Sequence, residues 1–132
     1  MKTRTKFLNV DLEVYGEKSL RPLVGALESA GAVALHSGRW HEGGYFASFE
    51  LEGRTTSAER TVRGLTRIVQ ALEGKARSIW ERATRRVFNI GIEAGDGPHS
   101  FAVAVSPAAL RRVAELDAEI EVTVYAAERA RV

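Results

Sequence analysis

Cysteine is absent from this 132-residue chain, which excludes a disulfide framework, a thiol nucleophile and thiolate metal ligands. Long apolar runs are missing too: nothing approaches the roughly 18–20 consecutive apolar residues that a membrane span requires. The basic start, Met1-Lys2-Thr3-Arg4-Thr5-Lys6, leads into alternating residues rather than the unbroken apolar core of a signal peptide. Together these absences predict a cytoplasmic protein with no membrane partner. Catalytic signatures are lacking as well. None of the serines lies in a Gly-x-Ser-x-Gly elbow, and Gly91, Gly95 and Gly97 form no phosphate loop. The chain reads as non-enzymatic, with no cofactor.

An apolar fraction of 45% and a charged fraction of 27% belong to an ordinary globule that can bury a real core. One domain over residues 1–132 is expected, with 127–132 as a frayed tail. The net charge is only +2, but it is unevenly spread. Residues 54–86 carry nine basic side chains (Arg54, Arg60, Arg63, Arg67, Lys75, Arg77, Arg82, Arg85 and Arg86) against three acids, a local charge of +6, while the remainder carries −4.

Hydrophobic periodicity supplies the elements. Leu8, Val10, Leu12 and Val14 alternate with Asn9, Asp11 and Glu13, the pattern of a half-buried strand. Ser19 is a plausible N-cap, and Leu20, Leu23, Val24 and Leu27 trace one face of a helix closed by Gly31. A short strand, 32–35, precedes a loop beginning at Ser37-Gly38 and a second alternating strand over 45–52. Thr56-Ser57-Ala58-Glu59 has capping-box spacing. It opens a helix that buries Val62, Leu65, Ile68, Val69 and Leu72 and ends at Gly74. A further helix is expected over about 76–85, carrying Arg82, Arg85 and Arg86. Phe88, Ile90 and Ile92 mark another strand. Phe101 to Val105 is apolar on both sides and reads as an interior strand. Ser106-Pro107 caps a last helix, and Ile120, Val122 and Val124 alternate with Glu119, Glu121 and Thr123 in a last strand.

The predicted order is β-α-β-β-α-α-β-β-α-β. It implies an α+β two-layer sandwich with a mostly antiparallel sheet, all helices on one face, and a ferredoxin-like tendency. The opposite sheet face is then open and collects Asp11, Glu13, Glu50, Glu93, Glu119 and Glu121. Those acids either keep an exposed face soluble or form a docking surface for a basic protein partner. A second candidate is the segment His36 to Gly44, which concentrates His36, Arg39, Trp40, His41 and Glu42 beside a Gly pair. Trp and Arg are enriched among interface anchors, so Arg39 and Trp40 join the candidate interaction residues. His36, His41 and Glu42, with His99 as a fourth ligand, are zinc-binding residue types, but their spacing fits no metal motif, and no metal is expected.

Residues 101–125, from Phe101-Ala102-Val103 through Ser106-Pro107 and Leu110-Arg111-Arg112-Val113-Ala114-Glu115-Leu116 to Val124-Tyr125, resemble the closing segment of a bacterial family catalogued as a domain of unknown function. That family combines a strand, a Ser-Pro-capped helix and a strand ending in Tyr; where it tends to have Gly after the Leu, this chain has Asp117. The resemblance implies shared architecture and no catalytic residue. By analogy it suggests an immunity or accessory protein. A homodimer with a small ligand near Tyr45 and Phe46 is the alternative. Nucleic-acid binding by the arginine-rich helices is third.

Overall fold

Val10, Leu12 and Val14 are fully buried, and their period-two spacing fixes which side of the first strand meets the helices. The computed structural model describes residues 3–53 and 57–127. Its elements are β1 (Lys6–Gly16), α1 (Arg21–Ser29), β2 (Ala32–Arg39), β3 (Tyr45–Leu51), α2 (Ala58–Gln70), α3 (Gly74–Arg82), β4 (Arg85–Glu93), α4 (Pro107–Glu115) and β5 (Glu119–Tyr125). The strands form one sheet in the order β2-β3-β1-β4-β5. Every pair is antiparallel except β4–β5. β1 thus lies between β3 and β4, the arrangement of two interleaved β-α-β units in the ferredoxin-like manner. α4 and β5 add a parallel strand at one edge.

The α+β sandwich follows from one core. Val10, Leu12, Val14, Phe49, Phe88 and Ile90 of the sheet cluster with Leu23 and Leu27 of α1, Val62, Leu65 and Val69 of α2, Trp80 of α3 and Val113 of α4. All four helices therefore cover the same side. No helix among the described residues is long and apolar enough to cross a membrane.

The structure corrects several expectations. Residues 101–106 adopt no regular secondary structure. Val103 and Val105 pack against the core, but Phe101 is largely exposed, and β5 takes the place beside β4 that an interior strand would need. β2 runs on to Arg39 through pairing with β3, so the expected loop is only the turn from Trp40 to Gly44. In β1 a register shift between Phe7 and Asn9 turns Phe7 to the core and leaves Leu8 exposed. The cap of α1 is Leu20, with the Ser19 hydroxyl accepting from the Arg21 amide at 3.3 Å. α2 ends at Gln70, and Gly74 opens α3.

The most consequential correction concerns Arg85 and Arg86. α3 stops at Arg82 because the Thr84 amide donates to the Tyr15 carbonyl at 2.8 Å and draws the chain into the sheet. The two arginines therefore begin β4 and, by alternation, point to opposite sides. Arg86 turns beneath α3, donating to the carbonyls of Trp80 and Ala83 at 2.8 and 2.9 Å and pairing with Asp117 at 3.0 Å. Asp117 itself has φ 56°, the left-handed position after a helix where Gly is usual.

The expected capping box also differs. Ser57, not Thr56, caps α2, accepting from the Arg60 amide at 3.2 Å; Thr56 lies outside the described residues. Glu59 reaches across to α4 instead, accepting from the Ser106 amide at 2.7 Å and hydroxyl at 2.8 Å and from the Arg63 guanidinium. Those donors lower its pKa from 4.5 to about 2, led by the Ser106 amide. Because the folded pKa is depressed, this support is present above pH 4.5 and is lost as pH falls toward 2. Glu59→Gln should therefore lower the urea midpoint at pH 7 and make little difference near pH 2.

Candidate functional site

The register of the sheet assembles the face opposite the helices. Tyr15 lies between Phe46 and Arg85, Glu13 between Ser48 and Val87, and Asp11 beside Asn89. On β5, Glu119 sits next to Val87 and Glu121 next to Asn89. Glu50 follows Ser48 on the same side of β3. Asp11, Glu13, Glu50, Glu119 and Glu121 thus share one surface. Glu93 is on this face too, but at its far end, where Lys6 approaches it at 3.8 Å.

The acids fall into two electrostatic groups. Arg85, the arginine that crosses from the basic segment, holds Glu119 at 2.6 Å and Glu121 at 2.8 Å. Its guanidinium also lies 5.5 Å from the Tyr15 ring centre. Asn89 donates to Glu121 at 3.1 Å and accepts from Thr123 at 2.9 Å. Asp11, Glu13 and Glu50, in contrast, have no ion pair within 4 Å among the described residues; Glu50 accepts only the Asn9 amide at 3.1 Å.

Burial sharpens the contrast. Val87 and Ser48, the two neighbours of Glu13, are 0% and 6% exposed although they lie on the helix-free side. Side chains therefore pack over the middle of this face and partly shield the Glu13 carboxylate from water. Desolvation, then repulsion from Glu121, raises the Glu13 pKa above 4.5. For Asp11, desolvation and then Glu50 raise it above 3.8. Like charges held across neighbouring strands cost stability. At Glu13 the Asn89 amide and the Arg85 charge oppose this shift without cancelling it, so the cluster is only partly compensated in the isolated chain.

One end of the face is aromatic. Trp40 leaves β2 and folds back onto the sheet, its ring 4.7 Å from Phe46 and edge-on to Tyr15 at 5.8 Å. Tyr15 and Phe46 are 4.9 Å apart. The turn that aims Trp40 is closed by its amide donating to the Gly44 carbonyl at 2.9 Å. Gly44 has φ 77°, and a Cβ there would stand 2.6 Å from the Gly16 carbonyl oxygen, so this position needs glycine.

Comparison with family models, curated proteins and solved structures finds no match.

Arg39 and Trp40, neighbours in sequence, diverge in space. Arg39 pairs with Tyr45 and lies over its ring at 5.6 Å, and Tyr45 packs against the core, so Arg39 belongs to the helix side. Only Trp40 joins the acidic face. The two still meet at the sheet edge, where Arg39 lines a shallow groove of about 390 Å³ together with His36, Trp40, His41 and Phe46. His41 and Glu42 approach each other at 3.9 Å with both side chains exposed. Among the described residues, no three His, Asp or Glu side chains converge as metal ligands.

Sequence reading missed Tyr15, Arg85 and Val87 as parts of this surface. Alternation marked the side to which Phe46 and Asn89 point. Nothing in the chain marked Arg85 as the cation that divides the acids.

Proposed function

We propose that this protein is a non-enzymatic interaction module whose helix-free sheet face docks a basic segment of a protein partner, as an immunity or accessory protein would. The observation that supports it is the trio Asp11, Glu13 and Glu50, partly desolvated and with no ion pair of its own among the described residues, beside the platform of Trp40, Phe46 and Tyr15. A Lys or Arg entering the trio relieves its repulsion. A neighbouring cationic or apolar side chain gains contact with the aromatic rings, where cation–π attraction adds to burial.

The arginine layer supports nucleic-acid binding less well. Arg63 and Arg77 are paired with Glu59 and Glu81 on their own helices, and Arg85 and Arg86 are held by Glu119, Glu121 and Asp117. Four cations of the basic segment are thus already engaged within the fold, whereas phosphate affinity needs several converging on one groove.

A native partner captured on the immobilised protein should elute as salt is raised, because opposed charges set both the encounter and the register of such a contact. It should fail to bind the Asp11→Lys/Glu50→Lys variant at any salt. Unchanged retention by that variant, with its circular dichroism intact, contradicts the proposal.

A further inference from the structure

The two edges of the sheet are built differently. β2 has a register shift between Ala34 and His36, and Gly38 at φ 147°. Such irregularities blunt an edge against pairing with another chain. β5 has neither. Its seven residues pair with β4 in unbroken register, contain no proline or lysine, and have no strand on their outer side among the described residues. Val122, Val124 and Tyr125 are 55, 61 and 52% exposed. Val122 and Val124 lie opposite the core-side residues Ile90 and Ile92, so they continue the apolar helix-side face beyond the cover that α4 provides. A straight edge of this kind, its helix-side face apolar and its two acids, Glu119 and Glu121, paired with Arg85, is an invitation to strand addition.

We infer that the occupant is a second copy of this chain, joined β5 to β5 in antiparallel fashion about a two-fold axis through Val122. The sequence of β5 is self-complementary in that register. Glu119 lies opposite Tyr125, Ile120 opposite Val124, Glu121 opposite Thr123, and Val122 opposite itself, so no two acids face each other. A shift by one residue would set each carboxylate on the valine face of the partner. An axis through Glu121 would oppose that residue to its own copy. An axis through Thr123 keeps the acids apart but pairs only five of the seven residues. Glu119 and Glu121, the acids brought nearest the axis, arrive already held by Arg85 at 2.6 and 2.8 Å. The product is a continuous ten-stranded sheet with all helices on one side. It covers the exposed valines and satisfies the outer backbone groups of both edges, and the two acidic faces become one surface. The inference does not depend on the partner proposed above.

Light scattering should give twice the 14.5 kDa chain mass at high protein concentration, dissociating on dilution as small interfaces do. Val122→Lys should be monomeric at every concentration, and because Val122 is mostly exposed its thermal midpoint should stay near that of the wild type. Since the chain has no cysteine, Val122→Cys should cross-link rapidly under mild oxidation, the two-fold bringing the pair within disulfide reach. Val33→Cys, on β2, should not. A wild-type chain that is monomeric throughout overturns the inference. So does a dimer that persists in Val122→Lys without cross-linking of Val122→Cys, since it would use another surface.

Discussion

Replacing Trp80 by Ala should lower unfolding stability by about 3–5 kcal/mol, the usual range for emptying a large aromatic site. Trp80 is 2% exposed in the shared core. Its indole N–H donates to the Leu116 carbonyl at 3.2 Å, and the Arg86 guanidinium lies 5.9 Å from its ring centre. One side chain thus ties α3 to the end of α4 and to the start of β4, so its loss loosens three elements together. Against a total of about 5–15 kcal/mol for a domain, the variant should be marginal at 37 °C. Trp80→Phe retains most of the apolar volume and leaves the Leu116 carbonyl without this donor, at about 1–2 kcal/mol. Urea unfolding followed by circular dichroism separates the two. Equal midpoints would mean that the hydrogen bond, not the packing, carries the effect.

The second expectation has the opposite sign. Asp11→Asn with Glu13→Gln should stabilise the isolated chain by about 1–2 kcal/mol, in the range that relief of unfavourable surface charge commonly provides. Both carboxylates have folded pKa values raised by burial and by neighbouring acids. An acid with a raised folded pKa is a liability that is absent below its ordinary pKa and grows as pH rises through the folded value. The neutral amides remove it and keep similar shapes. For a chain of this size the gain corresponds to a midpoint shift of roughly 5 °C. A surface that becomes more stable when its acids are removed is one shaped by something other than stability, and the same variant should lose its basic partner.

Much of the fold was legible in the sequence because its signals were periodic. The alternation in 9–14, 45–51 and 88–93 gave three central strands and their faces, and Ser106-Pro107 capped α4 as expected, its hydroxyl accepting from the Ala109 amide at 3.1 Å. The failures came where periodicity was silent. Phe101 to Val105 is apolar throughout, and a two-sided apolar run has no phase to tell a strand from an extended segment lying on a core edge. His36, Ser37 and Gly38 have little strand propensity, yet pairing with Ser48, Ala47 and Phe46 makes them strand. Arg82, Arg85 and Arg86 carry helical spacing, and only the tertiary bond from Thr84 to Tyr15 ends the helix between them.

The candidate surface was legible as a set of acids but not as a charge pattern. Alternation put Asp11, Glu13, Glu50, Glu119 and Glu121 on one side. Which of them are neutralised depends on Arg85, whose neighbours across the sheet come from strands about 70 residues before and 34 residues after it. No local rule contains that information. The same holds for Trp40, which sequence proximity joined to Arg39 and the fold joins to Phe46 and Tyr15.

The most direct test is the difference in unfolding free energy between the wild type and the Asp11→Asn/Glu13→Gln variant, followed from pH 7 down to about 3, below both ordinary carboxylate values. The variant should be the more stable protein at neutral pH, with the advantage shrinking to nothing as the wild-type carboxyls take up protons. A variant that is equally stable or weaker at pH 7 would show that these acids are satisfied where they stand, and that no cation is wanted there.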